Sequence, residues 1–169
     1  MGVLELIQQK AFLGKEFLTW LWFRAERDGQ VEIPKRKPVT IEILGPILLD
    51  AQYGDARQSV LKGESPATSP EAHTALLEGK KLRRARLKWS REDAEWIFTL
   101  DGESFAVSGL SVPNPGRLPF EESMTMRLSW IREFEEALGE LFEVFLGLRL
   151  DEKEWVPEVR AIQGWVESK

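Results

Sequence analysis

The spacing of apolar residues changes period along the chain, and each change predicts an element. Between Phe12 and Arg27 the residues Phe12, Leu13, Phe17, Leu18, Trp20 and Leu21 recur at steps of three and four, with Asp28-Gly29 as a stop. That is the period of a helix. Its centre, Phe17 to Phe23, is apolar on nearly every side, which predicts burial in a core or against a partner. Whether residues 1–10 lengthen this helix is left open by the pattern. After Gly29 the period drops to two: Gln30 to Ile33 alternates, Pro34 to Pro38 makes a basic connection, and Val39 to Ile43 alternates again. These are strand signals rich in β-branched residues. Gly45-Pro46 is a predicted break, followed by a strand over Ile47 to Tyr53, a further strand over Arg57 to Lys62 and a loop over Gly63 to Thr68.

Ser69-Pro70-Glu71 predicts a helix start, because serine can accept from free first-turn amides and proline suits the first helical position. Gly79 closes that short helix near Glu78. A meander of three strands follows: Leu82 to Trp89, Glu95 to Leu100 and Ser104 to Leu110, with Asp101-Gly102 as a hairpin signal. Val112 to Pro119 carries three prolines and reads as a loop or linker. In the last third, Ile131, Phe134, Leu138, Leu141, Phe145 and Leu148 form one stripe of a long helix over Glu121 to Arg149, roughly 40 Å in length. Pro157 is expected to open a short closing helix bearing Val159, Ile162 and Trp165. The expected fold is therefore α+β: antiparallel sheet with an N-terminal helix, a short middle helix and a long C-terminal helix. Residues 1–169 are expected to form a single domain, with 112–119 as the place for any sub-boundary.

Composition removes several function classes. There is no cysteine and one histidine, His73, so thiol chemistry and multi-histidine metal sites are excluded. No phosphate-binding glycine loop, zinc motif or nucleophile elbow is present. Acidic pairs such as Glu121-Glu122 and Glu135-Glu136 read as solvated charge rather than acid–base machinery. The expectation is a non-enzyme with no catalytic residue, metal or cofactor. The longest mainly apolar stretch, Phe17 to Phe23, is too short to span a bilayer, and the N-terminus lacks a signal pattern, so a cytoplasmic protein with no membrane partner is expected.

Charge is unevenly placed. The net charge is −5, yet Lys80, Lys81, Arg83, Arg84, Arg86, Lys88 and Arg91 crowd one segment without an acidic residue, leaving the remainder at −12. On a strand, Ala85, Leu87 and Trp89 would face one way and Arg84, Arg86 and Lys88 the other. Same-face side chains stand about 6.5–7 Å apart, close to a phosphate repeat. Such a ladder could follow a nucleic-acid backbone without reading sequence, with Lys35, Arg36 and Lys37 as an extension. It could equally be a solvated strand face paired with carboxylates of the acidic long helix. Of the seven tryptophans, Trp20, Trp89 and Trp96 lie in phase with apolar neighbours and are expected in the core, while Trp22 and Trp155 are less constrained.

Several stretches resemble the carboxy-terminal half of the bacterial recombination-associated RdgC proteins. They are Phe12-Leu13-Gly14-Lys15-Glu16-Phe17-Leu18-Thr19-Trp20-Leu21-Trp22-Phe23-Arg24-Ala25-Glu26, Val60 to Glu64, Ser69-Pro70-Glu71-Ala72, and Leu77 to Leu82. A basic β segment ending at Trp89 and then Phe98 to Gly102 follow in similar order and spacing. The resemblance spans about Phe12 to Leu150; the family's amino-terminal half has no counterpart in this sequence. It implies a nucleoid-associated protein that binds duplex DNA as a ring-shaped dimer and restrains RecA-type recombination. Here the partner would be a second copy or a separately encoded half. The family's DNA contacts would fall on Lys80, Lys81, Arg83, Arg84, Arg86 and Lys88. The alternative expectation is a protein-interaction or assembly module acting through the acidic long helix and the aromatic first helix.

Overall fold

A computed structural model describes residues 3–51 and 57–169, with side chains from residue 13 onward. The elements run α1 (Val3–Asp28), β1 (Thr40–Asp50), β2 (Gln58–Leu61), α2 (Pro70–Leu77), β3 (Lys81–Arg91), β4 (Ala94–Asp101), β5 (Val107–Ser111), α3 (Phe120–Leu150) and α4 (Glu152–Ser168). A single turn of 3₁₀-helix at Pro66–Thr68 leads into α2. The architecture is α+β, as the periodicity predicts.

The five strands form one antiparallel sheet in the order β2-β1-β3-β4-β5. Three expectations are corrected. Gln30 to Ile33 is not a full strand; only Val31 and Val39 exchange backbone hydrogen bonds. Gly45-Pro46 does not break the chain into two strands either. β1 runs through it as a bulge, with Leu44 paired to Arg86 and Ile47 to Ala85. Proline has no N–H for the ladder, so a bulge is where a strand can carry it. The Tyr53 end of the expected next strand lies outside the described residues. Finally, α4 begins at Glu152 rather than at Pro157. The Asp151 carboxylate accepts from the Lys153 amide, which caps the helix six residues before the proline and leaves Pro157 inside it.

The helical starts and stops are otherwise where the chemistry puts them. Ser69 Oγ accepts from the Ala72 amide at 3.1 Å, and Gly79 closes α2 at φ +82°.

One face of the sheet holds the core. Ile41, Ile47, Leu49, Leu82, Ala85, Leu87, Trp89, Trp96, Phe98 and Leu100 are buried beneath α1 and the second half of α3. Phe17 stacks on Trp20, meets Phe142 edge-on and lies tilted against Phe145, and Phe134 meets Trp89 and Phe98 edge-on. The cluster draws on residues from both sides of the proline-rich loop. Trp22 is fully buried, its ring edge-on to Trp165. A buried Glu158 on α4 accepts from Trp20 Nε1 at 2.8 Å and Arg24 Nε at 2.6 Å, tying the last helix to the first. The other sheet face carries no helix among the described residues.

Candidate functional site

Strand β3 is central, so its outward side chains occupy the middle of the open face. Ala85, Leu87 and Trp89 point into the core, and Arg84, Arg86 and Lys88 point out, as the alternation predicts. The register then shifts: Leu48 pairs with Arg84 but Leu49 with Leu82, so Arg83 is an extra residue bulged out of the ladder. A bulge re-aims its side chain. Arg83 therefore reaches sideways to Asp50 at 3.4 Å and to Glu103.

The seven cations consequently do not converge. Lys80 is buried against Ser59 Oγ at 2.9 Å and Glu78 at 3.2 Å. Lys81 turns to Glu16 at 3.3 Å. Arg91 lies over the Trp96 ring and pairs with Glu133 on α3. Of the three that remain on the open face, Arg84 bonds Asp101 at 3.0 Å, and Lys88 holds Glu42 at 2.8 Å with Glu95 at 3.9 Å. The hydrogen bond from Lys88 to Glu42 raises the lysine above its ordinary value. Burial pushes Asp101 up, but bonds from the Ser104 amide, Arg84 and the Glu103 amide outweigh it and hold the carboxylate low. Among the described residues Arg86 has no carboxylate partner. Arg84, Arg86 and Lys88 are thus matched in number by Glu42, Glu95 and Asp101.

The basic connection is used in the same way. Arg36 makes a forked pair with Glu140 at 2.8 and 3.0 Å and reaches Glu136 at 3.3 Å, which pins the 34–38 loop to α3. Lys37 pairs with Glu92 in the β3–β4 turn, and exposed Lys35 adds to the field that lowers Glu140. The expected extension of the ladder is a fastening between a loop and a helix. Neighbouring carboxylates are the physical reason: on a chain at −5, each cation in reach of one satisfies it.

The aromatic first helix is not a free surface. Phe17, Leu18, Trp20, Leu21, Trp22 and Phe23 are all buried by this chain's own sheet and helices. His73 Nε2 donates to the Val166 carbonyl at 3.0 Å, joining α2 to α4. Among the described residues no group of three His, Cys, Asp or Glu side chains is placed to hold a metal, and no helix is long and apolar enough to cross a membrane.

On the long helix that the alternative expectation makes an interaction surface, the exposed apolar part is the first third of α3. Its later residues Phe134, Ala137, Leu138, Leu141 and Phe145 are buried, but Phe120 is 78% exposed, Leu128 60% and Met124 43%. These three are spaced four apart, so they share one side of the helix. Trp130 packs against the core, and its carbonyl accepts from Trp96 Nε1 at 3.3 Å. The signal was present in the sequence. The stripe that starts at Ile131 extends backward through Met124 to Phe120. Comparison with protein-family models, with curated proteins and with solved structures finds no match to this chain.

Proposed function

We propose that this chain is a non-enzymatic assembly module that docks protein through the free end of α3. The observation that carries this reading is the row Phe120, Met124 and Leu128, held in water on a helix whose other half is anchored in the core. Covering one such side chain stabilises a complex by about 1.5–3 kcal/mol. Contiguous exposed apolar groups on an otherwise well-packed chain mark contact surfaces. Native mass spectrometry of the protein isolated from its own cells tests the reading. The wild type is expected to carry additional protein mass, and Phe120→Asp with Leu128→Asp is expected to lose it while the far-ultraviolet circular dichroism stays the same. A wild type with no added mass of any kind would remove the reading.

A second reading is favoured by one specific observation: at the centre of the open sheet face, between Arg84 and Lys88, Arg86 has no carboxylate partner among the described residues. In that reading the chain is an RdgC-like, sequence-independent binder of duplex DNA that occupies the duplex and thereby restrains RecA-type recombination. Phosphates would have to displace Asp101 and Glu42 from their partners, exchanging one solvent-facing pair for another. Fluorescence anisotropy with a random-sequence duplex over a salt series is the test. Affinity should fall steeply with salt, and Arg86→Glu should weaken it at least about tenfold. Binding that ignores both changes would eliminate this face.

A further inference from the structure

Resting on the reading of the free end of α3 as a docking surface, we infer that its occupant is a second copy of this chain, lying antiparallel across it with a two-fold axis beside residue 126. The argument begins with helical geometry. At about 100° per residue, Phe120, Ile131, Met124 and Leu128 fall within an arc of about 80°. The steps between them, of four and three, make one continuous apolar face that a helix of the same pattern can pack against.

In an antiparallel pair, side chains equally far from the axis on its two sides meet. About residue 126, Met124 of one copy meets Leu128 of the other at equal distances, and Phe120, six residues before the axis, meets half-buried Ile131, five after it, within one residue's rise. All four are apolar, so the seam is complementary to itself, as a two-fold interface requires. Charge selects the same arrangement. An antiparallel pair brings the same flank of both helices together, and Glu121 and Arg132 lie on one flank of α3. Glu121 then stands opposite Arg132 of the second copy, twice by symmetry. Arg132 is available for this: its side chain is 81% exposed and holds only Glu136 one turn on. A parallel pair would instead gather Glu121 and Glu122 of both copies at one end, where like charges repel. It would also align the two helix dipoles rather than oppose them.

The free end is short, so the area covered lies near the lower bound for specific complexes. The pairing should therefore depend on concentration across the micromolar range. Sedimentation velocity on the full chain should show a shift from monomer to dimer mass as concentration rises, and Leu128→Asp should stay monomeric. Glu121→Arg and Arg132→Glu should each weaken the dimer at least about tenfold, and the two together should restore it to within about threefold.

Direction is read independently. The chain has no cysteine of its own, so single spin labels can be attached through Thr125→Cys or Glu135→Cys. Antiparallel pairing predicts a short label separation at 125 and an axial offset of about 27 Å at 135. Short separations at both positions would overturn the arrangement in favour of a parallel pair. A purified chain that stays monomeric, yet carries a different protein when isolated from cells, would overturn self-pairing and leave the docking reading standing. No association in either experiment would remove both.

Discussion

Gly14 and Gly102 show how closely two elements are brought together by residues that lack a side chain. A Cβ on Gly14 would lie 1.7 Å from the Gly102 carbonyl oxygen, and one on Gly102 would lie 2.8 Å from that of Gly14. Helix α1 can cross the β4–β5 turn at that distance only without either group. Gly14→Ala should therefore destabilise the fold by about 1–3 kcal/mol, towards the upper end, as read from urea denaturation midpoints. The Asp101-Gly102 pair was legible as a turn signal, but its glycine serves the approach of α1. The left-handed position of that turn falls to Phe105, at φ +60°. Local sequence carries turn preference; it does not carry which distant helix will press on the turn.

Charge at the residue scale sets an acid response. Hydrogen bonds from Arg132 and Arg36 hold Glu136 below the ordinary glutamate range, and the bond from Arg36 does the same for Glu140. A carboxylate whose folded pKa is depressed takes up its proton later than in the unfolded chain. It therefore contributes stability above the unfolded pKa, and that contribution disappears as pH falls through the folded one. The melting temperature of the wild type should drop as pH falls below the ordinary glutamate value of 4.5. Arg36→Gln should start lower at neutral pH and lose less over the same acid range, because Glu140 then titrates closer to its unfolded value. Equal acid slopes for the two proteins would contradict this account.

At the scale of elements, helices were easier to read than strands. Helix α1, α2 and the long α3 follow from periodicity and from end signals such as Ser69-Pro70 and Gly79, all of them local. The strand errors share one cause. Whether Gly45-Pro46 ends a strand or bulges out of it depends on the neighbour across the ladder, and β3 lies some forty residues further on. The same holds for α4, where Pro157 looked like a start although Asp151 supplies the cap. What fastens α4 is not local either. Glu158→Ala would leave the Trp20 indole N–H and the Arg24 guanidinium without their buried acceptor. Charged hydrogen bonds of this kind are worth about 1.5–3 kcal/mol each, so losing both should cost about 3 kcal/mol or more. Glu158→Gln, which keeps one acceptor, should cost less by the same denaturation assay.

For the molecule as a whole, the alternation of β3 correctly sorted Arg84, Arg86 and Lys88 from Ala85, Leu87 and Trp89. The field of the segment was not legible, because charge along a sequence does not show which carboxylates fold beside it. Asp50, Asp101, Glu16, Glu42 and Glu133 come from four other elements and answer most of those cations. Replacing Phe120 or Leu128 by aspartate should leave the unfolding midpoint within about 0.5 kcal/mol of wild type, since surface positions outside a packed cluster contribute little. That outcome would separate a contact residue from a core residue.

The unbroken course of α3 has a mechanical consequence. No glycine or proline interrupts it from Phe120 to Leu138, so the exposed turns are a stiff lever rather than a tether. Whatever grips the tip is held at a set height and bearing relative to the aromatic interior, and a pull there is delivered straight to Phe134 and Leu138. Two molecules joined by such levers would keep their open sheets at one spacing, as fixed as the arms of a caliper locked at a chosen width.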